Sequence, residues 1–469
     1  MYKIHRDGNF FYFTAYPILT DQIPNTFTGN TAALSGGAIY WGIANAEIFI
    51  MPGTLFINNT VTAIDGSGGA MFLEKSNRLI YMYSSVFVDN EAYQGGALAL
   101  SQSNYPMSMY LCSFTGNCAS GYGGAVYLGD GNGYGFFKIF TTSVIRFLGA
   151  VFSKNTALIG GGGVYSSNSN AVMFNDTVMV SNYANISGGA IHFESQNIAR
   201  LSRVTLLNNV AGLYGGAIQS HIANRIAFHN LSLFTENSAG LDGGAVAMTL
   251  GSIISFDGET SFTTNNASRD GGAIYSSASI LGLGAVAINF TLNSASRGSA
   301  LRLEEIVVNS VRISPSNESI VFSQNVCSGR GGTVSWIKDP ASTGGTFAAS
   351  ANSTSSRVVY RNNVAAFGSN SSTQATSLKY AGYDPSTVTR YFSALLPLPT
   401  VLLLDYYSAQ DFSDSTTTVT VSVASSSCLG HVGYLSGITT TVAERGSAKF
   451  ANLTAFCFPG GSMTLTYTG

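Results

Sequence analysis

The sequence predicts an all-β protein: a parallel β-helix of about twelve coils, followed by a small β-sandwich of Ig-like outline. Three observations lead there. A unit reading Phe-x-x-Asn-x-Ala, a short gap, then Gly-Gly-Ala-(Ile/Val/Leu) recurs between residues 27 and 334. From Gly161 to Gly298 its period is 27 or 28 residues, too short and too rich in glycine and aromatics for paired-helix repeats. Apolar residues alternate around glycine corners, which is the signature of short strands and predicts three of them per coil.

The unit's asparagine recurs at Asn30, Asn59, Asn90, Asn117, Asn155, Asn182, Asn209, Asn237, Asn265, Asn293 and Asn325. Three residues earlier stand Phe27, Phe56, Phe87, Phe114, Phe152, Met179, Leu206, Phe234, Phe262, Phe290 and Phe322. Three residues after each first glycine the chain is always apolar, from Ile39 to Val334, and a worn further unit follows at Tyr360, Asn363 and Gly368. Each residue type has a physical reason. The aromatic and aliphatic positions fill an interior in which like stacks on like. Asn tolerates left-handed corner geometry, and its amide both donates and accepts along a column. An Asp column would instead repel itself, by roughly 0.9 kcal/mol per pair even in water. The glycine pair admits positive φ and close approach of neighbouring backbones. Ala follows Asn by two residues in nine of the eleven units, and Cys327 takes that slot, which predicts a small buried side chain.

Composition agrees. The 469 residues carry a formal net charge of -2, and only 10% are charged, against roughly 25% in an average soluble domain. No cluster of Lys and Arg appears, so nucleic acid is not an expected partner. No run of 18 apolar residues suggests a transmembrane helix. The aromatic run Phe10 to Phe13 is too short for a signal-peptide core, so no secretion signal is expected within this chain. The five cysteines, Cys112, Cys118, Cys327, Cys428 and Cys457, form no CxxC, and His5, His192, His221, His229 and His431 show no metal-ligand spacing. No metal or cofactor is expected.

The expected boundaries are a cap at 1–26, the β-helix at 27–370, a linker at 371–394 and the sandwich-like domain at 395–469. The cap follows from the open sheet edge and apolar interior that a first coil would expose. In the last domain, strands are expected at Thr400–Asp405, Thr417–Ala424, Gly437–Val442, Ala448–Leu453 and Met463–Thr468. Cys428 and Cys457 either pair there, which suits an oxidising compartment, or are two separate small hydrophobes.

The repeat resembles the paired repeats of the chlamydial polymorphic outer membrane proteins (Pmp), in which a Gly-Gly-Ala-Ile type motif alternates with Phe-x-x-Asn, here as Phe234 to Asn237 with Gly243-Gly244-Ala245-Val246. The resemblance implies a right-handed β-helix of pectin-lyase-like shape and an adhesive, surface-exposed or extracellular role. That family ends in a membrane barrel, whereas this chain ends in a short β-rich region. Membrane association is therefore expected only through regions outside this chain.

Candidate chemistry is sparse. Asp242 and Asp270, each just before a glycine pair, stack in adjacent coils, with Arg297 and Arg330 at the same position in the next two units. They read either as a carboxylate pair for a polysaccharide lyase or hydrolase or, preferably, as a solvated corner ladder. No Ser–His–Asp constellation emerges. The run Gly129 to Gly135 lacks the strand, helix and Lys-Ser/Thr of a nucleotide loop and reads as a surface loop. Ten Asn-x-Ser/Thr sequons permit glycosylation. Directly after the aliphatic position come Tyr40, Phe72, Tyr127, Tyr165, His192 and Tyr275. Strand alternation points these six outward as a broken aromatic stripe, which either binds glycans or partner proteins or reflects ordinary β-propensity. The expected function is non-enzymatic binding of a host or neighbouring-cell surface protein or glycan, with a polysaccharide enzyme or an architectural spacer as alternatives.

Overall fold

A computed structural model describes residues 25–132, 144–336 and 358–469, short interruptions within each aside. The expected cap at 1–26 and the loop beyond Asn132 therefore lie almost wholly outside the described residues. Those described are strands, turns and bends, with no helix among them.

Three parallel sheets run the length of the repeat. One has twelve strands, from Thr31–Ala32 to Val364–Ala365; a second has twelve, from Ile39–Trp41 to Ser371–Thr373; the third has twenty. The third is bent, because each coil enters it with two strand segments instead of the one expected. Val151–Ser153 and Ala171–Asn175 are such segments, and in Ile198–Leu207 and Arg225–Thr235 the two rows merge into single long strands. Parallel strands joined by crossovers of this kind wind right-handedly in nearly all proteins.

The repeat positions form columns. Phe27 stacks on Phe56, Phe56 on Phe87, Phe87 on Phe114 and Phe114 on Phe152, with ring centroids 4.6–5.0 Å apart. Met179 and Leu206 carry the column across, and it resumes from Phe234 through Phe262, Phe290 and Phe322 to Tyr360 at 4.5–5.1 Å. The asparagines form an unbroken chain from Asn30 to Asn363. Each Nδ2 donates to the Oδ1 of the next at 2.8–3.0 Å. Each backbone N–H of the column donates to that same oxygen, and Nδ2 also donates to a carbonyl one coil back, as Asn209 does to Met179.

The left-handed corner falls one residue earlier than expected. Gly29, Asn58, Asp89, Gly116, Lys154, Ser181, Asn208, Glu236, Thr264, Leu292, Gln324 and Asn362, each just before a column asparagine, hold positive φ, at 50–57° in the ten that are not glycine. Each of these ten costs roughly 1 kcal/mol of backbone strain. The corner turns the next side chain inward, where the amide is fully satisfied, and that satisfaction offsets the strain. A second column uses the same device. Asn77, Asn104, Asn132, Asn170, Asn197 and Asn224 are all buried and linked coil to coil, each later member through the Oδ1 that accepts from its predecessor. Cys327 is buried as expected, its thiol pushed up to about 11 by burial.

The carboxy-terminal region has its own core of Val401, Leu403, Val419, Val421, Ala443, Ala448, Phe450 and Leu453. Its described strands divide into three antiparallel sheets of three, rather than the two sheets of an Ig-like sandwich. Four strands were not foreseen: Ser377–Tyr380, Ser393–Leu395, Tyr434–Ser436 and Thr454–Phe456. Two expectations for the linker 371–394 are thereby corrected. Ser371–Thr373 extends the β-helix, and Ser377–Tyr380 pairs with Thr400–Leu404 of the small domain. Alternation too short for a confident strand reading, Ser-Leu-Lys-Tyr, suffices once a partner strand supplies hydrogen bonds. Cys428 and Cys457 form a disulfide.

Candidate functional site

The glycine pair bends each coil between the two twelve-stranded sheets. In the middle coils the residue before the pair and the stripe residue five positions later face one another across this corner. Ser187 Oγ lies 2.8 Å from His192 Nδ1, the clearest case. The residues before the pair form a column of bridges, Tyr122–Gly160–Ser187–Tyr214–Asp242–Asp270–Arg297. The stripe is equally regular: Tyr40, Phe72, Ala99, Tyr127, Tyr165, His192, Gln219, Ala247, Tyr275 and Arg302 stand in register in successive coils.

Register does not make the stripe an open face. Tyr40 is 53% exposed; Phe72, Tyr127 and Tyr275 are half-buried; Tyr165 and His192 are only 7% and 8% exposed. Part of the row is closed to solvent, because the corner brings a second wall of side chains against it. Tyr122 lies with its ring 4.7 Å from that of Tyr165, and Tyr165 stacks on His192 at 4.8 Å. Gly160 makes room for this: a Cβ there would meet His192 Nδ1 at 3.1 Å. The open part of the row is its beginning, where Tyr40 stacks on Phe72 at 5.5 Å.

Glutamates cap the row from one coil further on. Tyr40 donates to Glu74 Oε2 at 2.7 Å, Tyr165 to Glu194 Oε2 at 3.1 Å and Tyr275 to Glu304 Oε2 at 2.7 Å. The Glu74 bond raises the Tyr40 phenol to about 12, while burial is the leading cause of the upward shifts at Tyr165 and Tyr275. Glu194 also lies 2.9 Å from His192 Nε2, and this hydrogen bond lowers its carboxyl from 4.5 to about 2.

Ser187, His192 and Glu194 thus form a hydrogen-bonded chain that sequence reasoning missed. It lacks the setting of a nucleophile. The N–H groups of Gly188 and Gly189 that follow the serine donate to Tyr214 and Gly215 carbonyls at 2.9 and 3.2 Å, leaving neither to hold an oxyanion. The three residues belong to one coil, and Glu194, by accepting from Tyr165, ties that coil to the preceding one. A carboxyl lowered on folding stabilises the folded state fully above its unfolded value, and loses that contribution as pH falls through the folded one. The melting difference between the native protein and a Glu194→Gln variant is therefore expected to shrink as pH falls from about 4.5 towards about 2. A difference unchanged over that range would refute the assignment.

Asp242 and Asp270 do sit in adjacent coils, beside Arg297, but they are not a solvated ladder. Both are 1% exposed. Arg269, which the sequence reading passed over, grips Asp242 through Nε at 2.8 Å and through Nη2; Arg297 grips Asp270 through Nε at 2.6 Å and through Nη2. Arg302, 2% exposed and also unforeseen, lies 3.7 Å from Asp270 and donates to Glu304 and to Ser335 Oγ. Burial raises the Asp270 carboxyl, against the pull of the Arg297 hydrogen bonds, and burial lowers the Arg302 guanidinium. Stripe positions that are elsewhere aromatic thus carry a buried cation here, and the carboxylates beneath are its counter-charge. Arg330 lies outside the described residues, as do Gly133 to Gly135 of the glycine-rich run. No cluster of metal-ligating side chains occurs among the described residues, nor a helix long and apolar enough to cross a membrane.

Comparison with known proteins agrees with this architecture. The Chlamydia polymorphic membrane protein repeat matches residues 26–40, 111–129 and 259–277. Probable autotransporter YfaL of Escherichia coli (strain K12) is 30% identical over 155 residues, which are 32% of this chain and 10% of that protein. The chain thus spans about a tenth of the length of that relative. No solved structure matches. The chain thus carries repeats similar to the polymorphic membrane protein repeat, its Phe-x-x-Asn and Gly-Gly-Ala units borne by a parallel β-helix.

Proposed function

We propose that this protein is a non-enzymatic, surface-exposed or extracellular rod that binds a partner on another surface, a protein or a glycan of a host or neighbouring cell. The observation that carries the reading is the open start of the aromatic row. Tyr40, 53% exposed and stacked on Phe72, offers a flat ring platform of the kind that glycans and protein side chains cover. The names of the similar proteins, a membrane protein repeat and an autotransporter, support a surface location. The Cys428–Cys457 disulfide supports an oxidising one.

A polysaccharide lyase or hydrolase is disfavoured by the state of its best candidates. Asp242 and Asp270 are sealed by guanidinium groups, with no face left for a glycosidic oxygen or an attacking water. The test is binding of the purified chain to cells and to immobilised glycans. Tyr40→Ala together with Phe72→Ala is expected to weaken binding about tenfold or more, as loss of a central aromatic anchor does. Undiminished binding by that variant would remove the platform from the reading, and turnover of pectin-like polymers would reinstate the enzyme.

A further inference from the structure

The small domain ends one sheet with a strand unlike its other edges. Thr440–Val442, Thr418–Ser427 and Ser462–Thr468 lie in that order, so among the described residues Ser462–Thr468 pairs on one side only. Proteins protect such edges by keeping them short or by placing lysine or proline on them. The other edges here follow the rule. Ser393–Leu395, Tyr434–Ser436 and Thr440–Val442 are three residues long, while Ser377–Tyr380 and Ser447–Lys449 carry Lys379 and Lys449. Ser462–Thr468 has seven residues, Ser-Met-Thr-Leu-Thr-Tyr-Thr, with neither charge nor proline.

Its two faces are also distinct. Ser462, Thr464, Thr466 and Thr468 are exposed; Met463, Leu465 and Tyr467 are half-buried, and the last two pack on the domain core. We propose that this strand is an interface with a second copy of the chain, the two strands pairing antiparallel about a two-fold axis at Leu465. The sequence is self-complementary in that register. Leu465 meets its own counterpart. Met463 meets Tyr467 of the second copy, a thioether against an aromatic ring, on the face that continues the core. Thr464 meets Thr466 of the second copy on the outer face, a favourable cross-strand pair. A shift of one residue would set Thr against Leu and turn the apolar row to water. An antiparallel pair of identical strands closes on itself, so the product is a dimer and not a fibre. Two three-stranded sheets become one of six.

The test is the mass of the full chain in solution across a concentration series, by light scattering or sedimentation equilibrium. The native chain is expected to pass from monomer to dimer as concentration rises. Thr464→Lys with Thr466→Lys sets like charges opposite each other twice across the axis. It is expected to weaken dimerisation about tenfold or more. Thr464→Glu with Thr466→Lys sets opposite charges there and is expected to dimerise like the native chain. Both threonine sites are exposed, and unchanged melting of each variant verifies the fold. A native chain that stays monomeric at its highest concentration, or a double-lysine variant that dimerises undiminished, overturns the proposal. So does failure of the Glu/Lys variant to restore the dimer, since only this register pairs those two positions.

Discussion

Replacing Asn209 by aspartate is expected to destabilise the β-helix by about 3–5 kcal/mol at neutral pH, the cost of an unpaired buried charge. Asn209 is fully buried. Its Oδ1 accepts from the N–H and Nδ2 of Asn182, and its own Nδ2 donates to Asn237 Oδ1 and to the Met179 carbonyl. A carboxylate keeps the first pair of bonds and loses the second. It also sets a negative oxygen against two acceptors in a site closed to water. Asn209→Ala loses both pairs without adding charge, and about 2–3 kcal/mol is expected. The two variants separate by pH. The introduced carboxyl has its folded value raised by burial above the unfolded value of about 3.9. Its deficit relative to the native protein is therefore smallest below that value and grows as pH rises through the folded one, whereas the alanine deficit follows no such course. Urea midpoints and hydrogen exchange at the Asn182 amide measure both. Equal deficits at every pH would contradict the column's geometry.

Gly244→Ala is expected to cost a similar amount, about 3–5 kcal/mol, as overpacking against backbone. A Cβ at Gly244 would lie 2.1 Å from the Gly272 carbonyl oxygen and 2.6 Å from the Asn266 carbonyl. These are backbone atoms of the next coil, so two coils would have to separate and lose hydrogen bonds that hold them. The chain contains its own control. Ser299 occupies the same place in its unit, and there the hydrogen bonding has shifted: Gly272 N–H donates to the first residue of the next pair, Gly298, but Ser299 N–H donates to Gly332, the second. Side-chain room at this position thus comes with a displaced register. Gly244→Ala should reproduce that displacement as loss of amide protection at Gly244 and Gly272. Native-like protection and melting would show that the coils yield more easily than the geometry states.

The columns were legible because every coil buries the same residue in the same way, so Phe27 to Phe322 and Asn30 to Asn325 repeat as letters. The second asparagine column was not, although it is built alike. Its corners use Gly131, Ser169, Gln196 and Ala223, with no companion motif to flag them. Direction was legible for Tyr165 and His192, since alternation sets it. Exposure was not, because it depends on Tyr122 and Ser187 crossing a bend that no local pattern encodes. The same bend hides the Asp242–Arg269 and Arg302–Glu304 pairs: their members belong to neighbouring coils or to a strand position read as aromatic. Ser377–Tyr380 was lost in a segment rich in Ser, Thr and Ala, where pairing rather than composition makes the strand.

The amide carbonyls of the asparagine column all point one way. Every Oδ1 faces the preceding coil and every backbone N–H the following one, while Nδ2 donates one hydrogen forward and the other back. The bonds between sheet backbones run in both directions, as Gly243 donates forward to Asp270 and Ser238 backward to Asn209, and so largely cancel. The side-chain carbonyls of the column have no such opposition. Their small moments add in series, giving the molecule an electrical head, negative at Asn30, and a positive tail at Asn363. Lengthening the molecule by another copy of the unit, at either extremity, would enlarge that moment and leave its sense unchanged.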